Sequence, residues 1–281
     1  MPDNYPTKEQ VIGWLWDNKD WVIRKVKELR NWFRGTGQKS GQAGILILGA
    51  GGVGKTTLAR LLSGDFDLLL DGIEQYDESI GIERYILKDA ANVEIVVPPG
   101  QQHRREATWA DLHADIAAGK YRGIVLVSAH GYHSLGEGAG NACGVTKQKK
   151  DVFLRALLKS NRLDELAVVH QLLPHLQVNP AKMWFVSLIA KQDLWWPIHA
   201  KVEDYYRDGA YGVEIRSTFT QKPALLRHEF VFASLLIANF ATRNNVVLKP
   251  NAEGYDYPRQ IQSLRRLFET IDALKNWESE P

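Results

Sequence analysis

The sequence predicts an α/β fold: a mostly parallel central sheet flanked by helices, in three layers. Two observations predict it. From residue 44 onward, short apolar runs of strand length alternate with longer stretches of helical periodicity, the pattern of successive strand–helix–strand units. A glycine-rich turn, "GAGGVG" at 49–54, joins the first apolar run to the first helical stretch. It falls at a strand's carboxyl end, where open sheets of this kind bind ligands.

Bulk properties narrow the function classes. A length of 281 residues suits one α/β domain with additions. A net charge of +2, with no basic stripe carrying interleaved aromatics, gives no reason to expect a nucleic-acid partner. Cys143 is the only cysteine, which excludes an internal disulfide and suits a reducing compartment. No apolar run reaches the roughly 20 residues of a membrane-spanning helix. The start, "MPDNYPTKEQ", lacks the charged-then-apolar order of a secretory signal. The expected location is cytoplasmic, with peripheral membrane contact left open by the first helix.

That helix is expected over 7–34, within an N-terminal unit 1–40 that ends in the linker-like "GTGQKSGQAG". Val11, Leu15, Val22, Val26, Leu29 and Phe33 recur at helical spacing, and Trp14, Trp21 and Trp32 widen the apolar side. Arg24, Lys25, Lys27 and Arg30 form the wet side. Such a helix either docks on its own domain or meets a partner or a membrane interface.

The second unit, 41–281, carries the alternation. "GILILG", "VEIVVP", "GIVLVSA" and "KMWFVSLIA" read as buried strands, and 55–63, 103–118 and 147–176 as helices. "GYHSLGEGAGNACG", residues 131–144, reads as a loop. "HEFVFASLLIANFATRNNVVLKP" reads as a long strand and a hairpin around "RNN". "YPRQIQSLRRLFETIDALKNW" reads as a final helix with Ile261, Leu264, Leu267, Phe268 and Ile271 on one side.

The turn carries the chemistry. Gly49 to Thr56 matches G-x-x-x-x-G-K-[ST] in full, between a strand and a helix as the motif requires. This makes the expected fold that of a P-loop nucleotide-binding protein. Gly51, Gly52, Val53 and Gly54 let backbone N–H groups converge on phosphates where larger side chains would collide. Lys55 supplies positive charge to the β- and γ-phosphates, and Thr56 offers its hydroxyl to Mg2+. Thr57 continues the helix whose positive end faces the anion. "AKQDLW", residues 190–195, follows a strand and bears on the base. The Asp193 carboxylate can accept from guanine N1–H and its exocyclic amine, a donor pair adenine lacks. The stem of Lys191 can lie along the base.

These motifs resemble the Ras-like small GTPases, most closely the Arf-type branch. Ala190-Lys191-Gln192-Asp193 is similar to that family's [NT]-K-x-D, with Ala190 departing from it. "ESIGIERYIL" resembles the first switch, which places Ser79 where a threonine senses Mg2+ and the γ-phosphate. "VEIVVPPGQQ" resembles the strand and D-x-x-G-Q of the second switch. The resemblance implies that the Gly100 N–H meets the γ-phosphate and that Gln101 orients the attacking water. Val97 stands where the family has a metal-directing aspartate, and Pro98 and Pro99 remove two N–H donors. Arg104 and Arg105 read as solvated helix residues, the alternative being a charge supplied to a partner. The last base-contacting serine is Ser234 in "FVFASLL", with Ser217 in "IRST" as runner-up.

The resemblance covers roughly 44–130 and 180–200, with the final helix as a further candidate. It leaves 131–180 as an insertion and 205–257 as extra segments. It implies GTP/GDP and Mg2+ as cofactors, Mg2+ dependence weakened by Val97, and slow GTP hydrolysis. It also implies a switch role in a protein assembly, with partners at the switch loops or the N-terminal helix. Two alternatives remain: a nucleotide-holding scaffold without useful hydrolysis, and an ATP-using P-loop enzyme.

Overall fold

The computed structural model describes residues 20, 21, 24, 25, 28, 43–65, 81–86, 94–135, 147–242 and 246–279. Six strands form one sheet: β1 (Ala43–Gly49), β2 (Glu83–Ile86), β3 (Glu94–Val97), β4 (Tyr121–Ser128), β5 (Met183–Ile189) and β6 (Leu226–Phe232). Their spatial order is β2-β3-β1-β4-β5-β6. Only β2 runs antiparallel to its neighbour. Central strands of such a sheet are covered on both faces and therefore read as unbroken apolar runs. β4 and β5 are buried along their whole length. Gly123 is required in β4 because a Cβ there would run into the Trp184 indole of β5.

The helices are α1 (Lys55–Ser63), α2 (Gln102–Ala117), α3 (Lys147–Val178), α4 (Gln192–Trp195), α5 (His199–Arg207), α6 (Ala210–Phe219) and α7 (Tyr257–Ser279). A 3-10 turn, Trp196–Ile198, joins α4 to α5. The chain moves from β1 outward to β3, then crosses back to β4, β5 and β6. Right-handed crossovers place helices of the two directions on opposite faces. In the packing, α1 contacts β1, β2 and β3, α7 contacts β5 and β6, and α3 packs against both α2 and α6. Among the described residues, Trp109, Trp184, Trp195, Tyr206, Tyr211 and Phe185 are the largest aromatic anchors of the core. The expected three-layer α/β fold is the one observed.

The expected strands and helices fall within about two residues of the observed ones, with three differences. β2 was not foreseen as a strand. It is a four-residue edge strand, "ERYI", half of it charged. The long strand after 228 stops at Phe232, because Ser234 turns its hydroxyl to Asp193 and to the Leu236 carbonyl. The hairpin forms as a separate two-stranded sheet, β7 (Phe240–Ala241) with β8 (Val247–Lys249). Its "RNN" tip lies outside the described residues. Finally, α4, α5 and α6 occupy a stretch that had no assigned element; Val202 and Tyr206, four apart, bury one side of α5.

The described residues of the N-terminal segment are helical. Trp21 meets Phe268 edge-on at 6.3 Å, Arg265 lies over the Trp21 ring at 5.1 Å, and Lys25 bridges to Asp272 at 3.0 Å. This part therefore docks on α7 of its own domain. The rest of the expected 7–34 helix lies outside the described residues. Among those residues, no helix is long and apolar enough to cross a membrane.

Candidate functional site

The glycine-rich turn leaves β1 and enters α1 through Gly54, the helix N-cap, at φ 108°. An L side chain is strained there, so the tight entry needs glycine. Lys55, the first residue of α1, turns its amine back to the Ala50 carbonyl at 2.8 Å. Burial, aided by the nearby Arg105 charge, lowers this amine to about 7. A lysine so placed is only partly protonated near neutral pH, and a nearby anion would favour its charged form.

The segment after β3 closes on the same loop. A Cβ on Gly100 would collide with the Lys55 amine and the Ala50 carbonyl, so only glycine allows this approach. The Gln101 side chain lies 3.3 Å from where a Cβ on Gly51 would be. Its Oε1 is buried and has no hydrogen-bond partner among the described residues. The Pro99 carbonyl accepts from the Trp109 indole at 3.1 Å, fixing "PPG" to α2. Val97 is fully buried. Thr56 donates its hydroxyl to Glu83 at 3.1 Å, and Tyr85 donates to the same carboxylate oxygen at 2.7 Å. Ser79 lies outside the described residues.

Arg105 is not the solvated residue expected. It is 2 % exposed and forms an ion pair with Asp164 of α3. Its guanidinium also lies 5.7 Å from the centre of the Trp109 ring. Sequence reasoning missed the pair because its acid comes from a distant helix.

The segment 190–193 joins the loop directly. Lys191 adopts φ 58°, a left-handed conformation costing a non-glycine residue on the order of 1 kcal/mol. Three contacts over-determine it. The amine donates to the Gly52 carbonyl at 2.9 Å, to the Tyr132 carbonyl at 2.6 Å and to Ser134 at 3.4 Å. Burial lowers it to about 8. The lysine thus acts here as a tie between the loop and the end of β4, with its amine on backbone oxygens. Asp193 is 1 % exposed, and burial raises its carboxyl to about 6. Ser234 donates to its Oδ1 and the Ala238 N–H to its Oδ2 at 3.1 Å. A carboxylate has about four lone-pair positions, so these bonds leave it able to accept further donors. Ser217 instead lies on the exposed side of α6, bonded to the Glu214 carbonyl. Ser234, not Ser217, joins Asp193.

A second buried carboxylate supports the site. Glu165, on α3, accepts from Ala129 N–H at 2.9 Å, Gly131 N–H at 3.0 Å, His133 Nε2 at 2.9 Å and the Tyr206 hydroxyl. This sets the turn 129–134, whose Ser134 donates from N and Oγ to the Gly52 carbonyl at 3.0 and 3.1 Å. Burial opposes the Glu165 charge, yet bonds from His133, Tyr206 and Ala129 outweigh it and hold the carboxyl below its usual range. The sequence signal was a charged residue on the buried stripe with Val169, Leu172 and Leu176. Among the described residues, no group of three His, Cys, Asp or Glu side chains is placed to hold a metal alone.

No known protein family and no curated protein matches the chain. Solved structures similar to it include an ADP-ribosylation-factor-like GTP-binding protein, the small COPII coat GTPase SAR1 of Encephalitozoon cuniculi in complex with GDP. It has 15% identity and a TM-score of 0.43 over 96% of this chain and 94% of that one. The mammalian SRP receptor has 15% identity and a TM-score of 0.39 over 82% of this chain and 99% of that one. At this distance no residue role carries across, and the fold rests on the strand order and register described above.

Proposed function

We propose that the chain binds a guanine nucleotide and hydrolyses GTP slowly, acting as a two-state switch in a protein assembly. One observation carries this reading: Lys191 ties the phosphate loop at Gly52 to the short segment that presents Asp193, buried and bonded to Ser234. A phosphate cradle and a purine-reading carboxylate are thereby fixed in one unit. Gly51 to Thr57 receive the phosphates, with Lys55 and the Gly100 N–H on the β/γ end. Asp193 reads the guanine N1–H and amine, and Ser234 holds the carboxylate for that task. The Thr56 hydroxyl suits a hard cation, which prefers oxygen ligands and would share those of the phosphates. When bound, Mg2+ neutralises phosphate charge. Gln101, its Oε1 without a partner among the described residues, orients the attacking water. Protein partners meet the segments flanking Gly100 or the N-terminal helix docked on α7.

A second reading, a nucleotide-holding scaffold with no useful hydrolysis, is favoured by Val97 and by the bond that fixes Pro99 to Trp109. Single-turnover hydrolysis separates the two. Gln101→Ala is expected to slow phosphate release about tenfold, a loss of ~1.4 kcal/mol of transition-state stabilisation. An unchanged rate removes the water-orienting role and leaves the scaffold reading.

Affinity for GDP should be greatest between two titrations. As pH falls below about 6, Asp193 takes a proton and can no longer accept both guanine donors. As pH rises above about 7, Lys55 of the free protein loses the charge the phosphates need. Binding at pH 8 therefore takes up a proton. Calorimetry in buffers of different ionisation enthalpy reads that uptake, and Lys55→Met is expected to abolish it.

A further inference from the structure

Val97 leaves no carboxylate on β3 beside the phosphate loop, but the strand opposite supplies one. In the antiparallel pair of β2 and β3, Glu83 is the direct partner of Val97. Directly opposed residues project from the same face with Cβ atoms about 5 Å apart. The Glu83 side chain therefore leaves the sheet where one from position 97 would. It lies on the α1 side, since Thr56 donates to Glu83 Oε2 at 3.1 Å. Tyr85 fixes the same oxygen at 2.7 Å. The Glu83 charge also reaches Lys55, the residue that faces the phosphates. A carboxylate, a hydroxyl and phosphate oxygens form a hard donor set of the kind Mg2+ takes.

We propose that Glu83 supplies the acidic group of the divalent-cation site that position 97 lacks, beside Thr56 and the bound nucleotide's phosphates. This rests on the nucleotide reading above and revises one of its expectations: Mg2+ dependence is not weakened by Val97, because the acid has moved one strand over. Thr56 and Glu83, which share a hydrogen bond, would together hold the cation and supply it with hard oxygen ligands. The chemistry is binding only, and no bond is made or broken.

The test uses the full chain and a fluorescent GDP analogue. Its release rate is followed in EDTA and across a Mg2+ titration, for the parent, Glu83→Gln and Glu83→Asp. Binding of Mn2+ to the GDP complex is followed in parallel by electron paramagnetic resonance. Glutamine keeps an acceptor for Thr56 and Tyr85, so the fold is retained, and equal release rates in EDTA check it. The expected result is that Mg2+ slows release from the parent, while Glu83→Gln needs about 10–100-fold more metal for the same effect. Glu83→Asp, with its carboxylate retained, recovers part of the response, and Mn2+ affinity follows the same order. An unaltered metal response in Glu83→Gln, with GDP still bound, overturns the assignment alone. Failure of the parent to bind the GDP analogue in either condition overturns the nucleotide reading and this assignment with it.

Discussion

Lys55→Met is expected to weaken GDP binding on the order of 100-fold without lowering the melting temperature of the free protein. The loss follows from charge-assisted hydrogen bonds to phosphate, each contributing roughly 1.5–3 kcal/mol. The preserved stability follows from the state of the amine. Lys55 is 7 % exposed and donates its amine to the Ala50 carbonyl. Burial lowers it from 10.5 to about 7. Between those values the unfolded chain binds more protons at this residue than the folded one, so its contribution to stability rises with pH. At neutral pH a protonated lysine here is a cost to folding, and methionine, similar in length and apolar, removes it. Fluorescence titration with a GDP analogue and thermal denaturation of the free protein check both halves. A variant that binds as the parent does would separate the loop from phosphate recognition.

Glu165→Ala is expected to destabilise the protein by about 3–5 kcal/mol, because it leaves buried donors without their charged acceptor. The donors are the N–H groups of Ala129 and Gly131, the His133 ring and the Tyr206 hydroxyl. The melting temperature should fall on the order of 10 °C. GDP affinity should fall as well, because the turn that Glu165 holds carries Ser134 against Gly52 and Tyr132 against Lys191. The sign with pH is fixed. The carboxyl is held below 4.5, so its stabilisation is present above the unfolded value and is lost as pH falls through the folded one. The stability gap between parent and Glu165→Ala therefore narrows in acid. A gap that widens below pH 4 would show that the carboxylate is not the stabilising form.

The sequence made β1, β3, β4 and β5 legible because strands covered on both faces must be apolar throughout. β2 was not legible, since an edge strand needs no such run and carries Glu83 and Arg84. The glycine-rich turn could be read because its pattern lies among neighbours in sequence. Asp193 and Ser234 were legible as types of residue at strand ends, but only the fold shows which serine meets the aspartate. Ser217 differs from Ser234 in its helix, not in its local chemistry. Arg105 was misread because a charged helix residue is normally solvated, and its acid partner is 59 residues away. Glu83 was invisible for a related reason: its relation to Val97 exists only in the antiparallel register. Contacts set by tertiary pairing leave no spacing rule in the chain.

Displacement of a bound fluorescent GDP analogue by unlabelled GTP and by ATP tests the base-reading role of Asp193 most directly. On the proposed reading, in which Asp193 accepts two donors that adenine lacks, GTP is expected to displace the probe at a concentration at least about 100-fold lower than ATP. Asp193→Ala should remove most of that difference. Displacement by ATP at the same concentration as GTP would contradict the account.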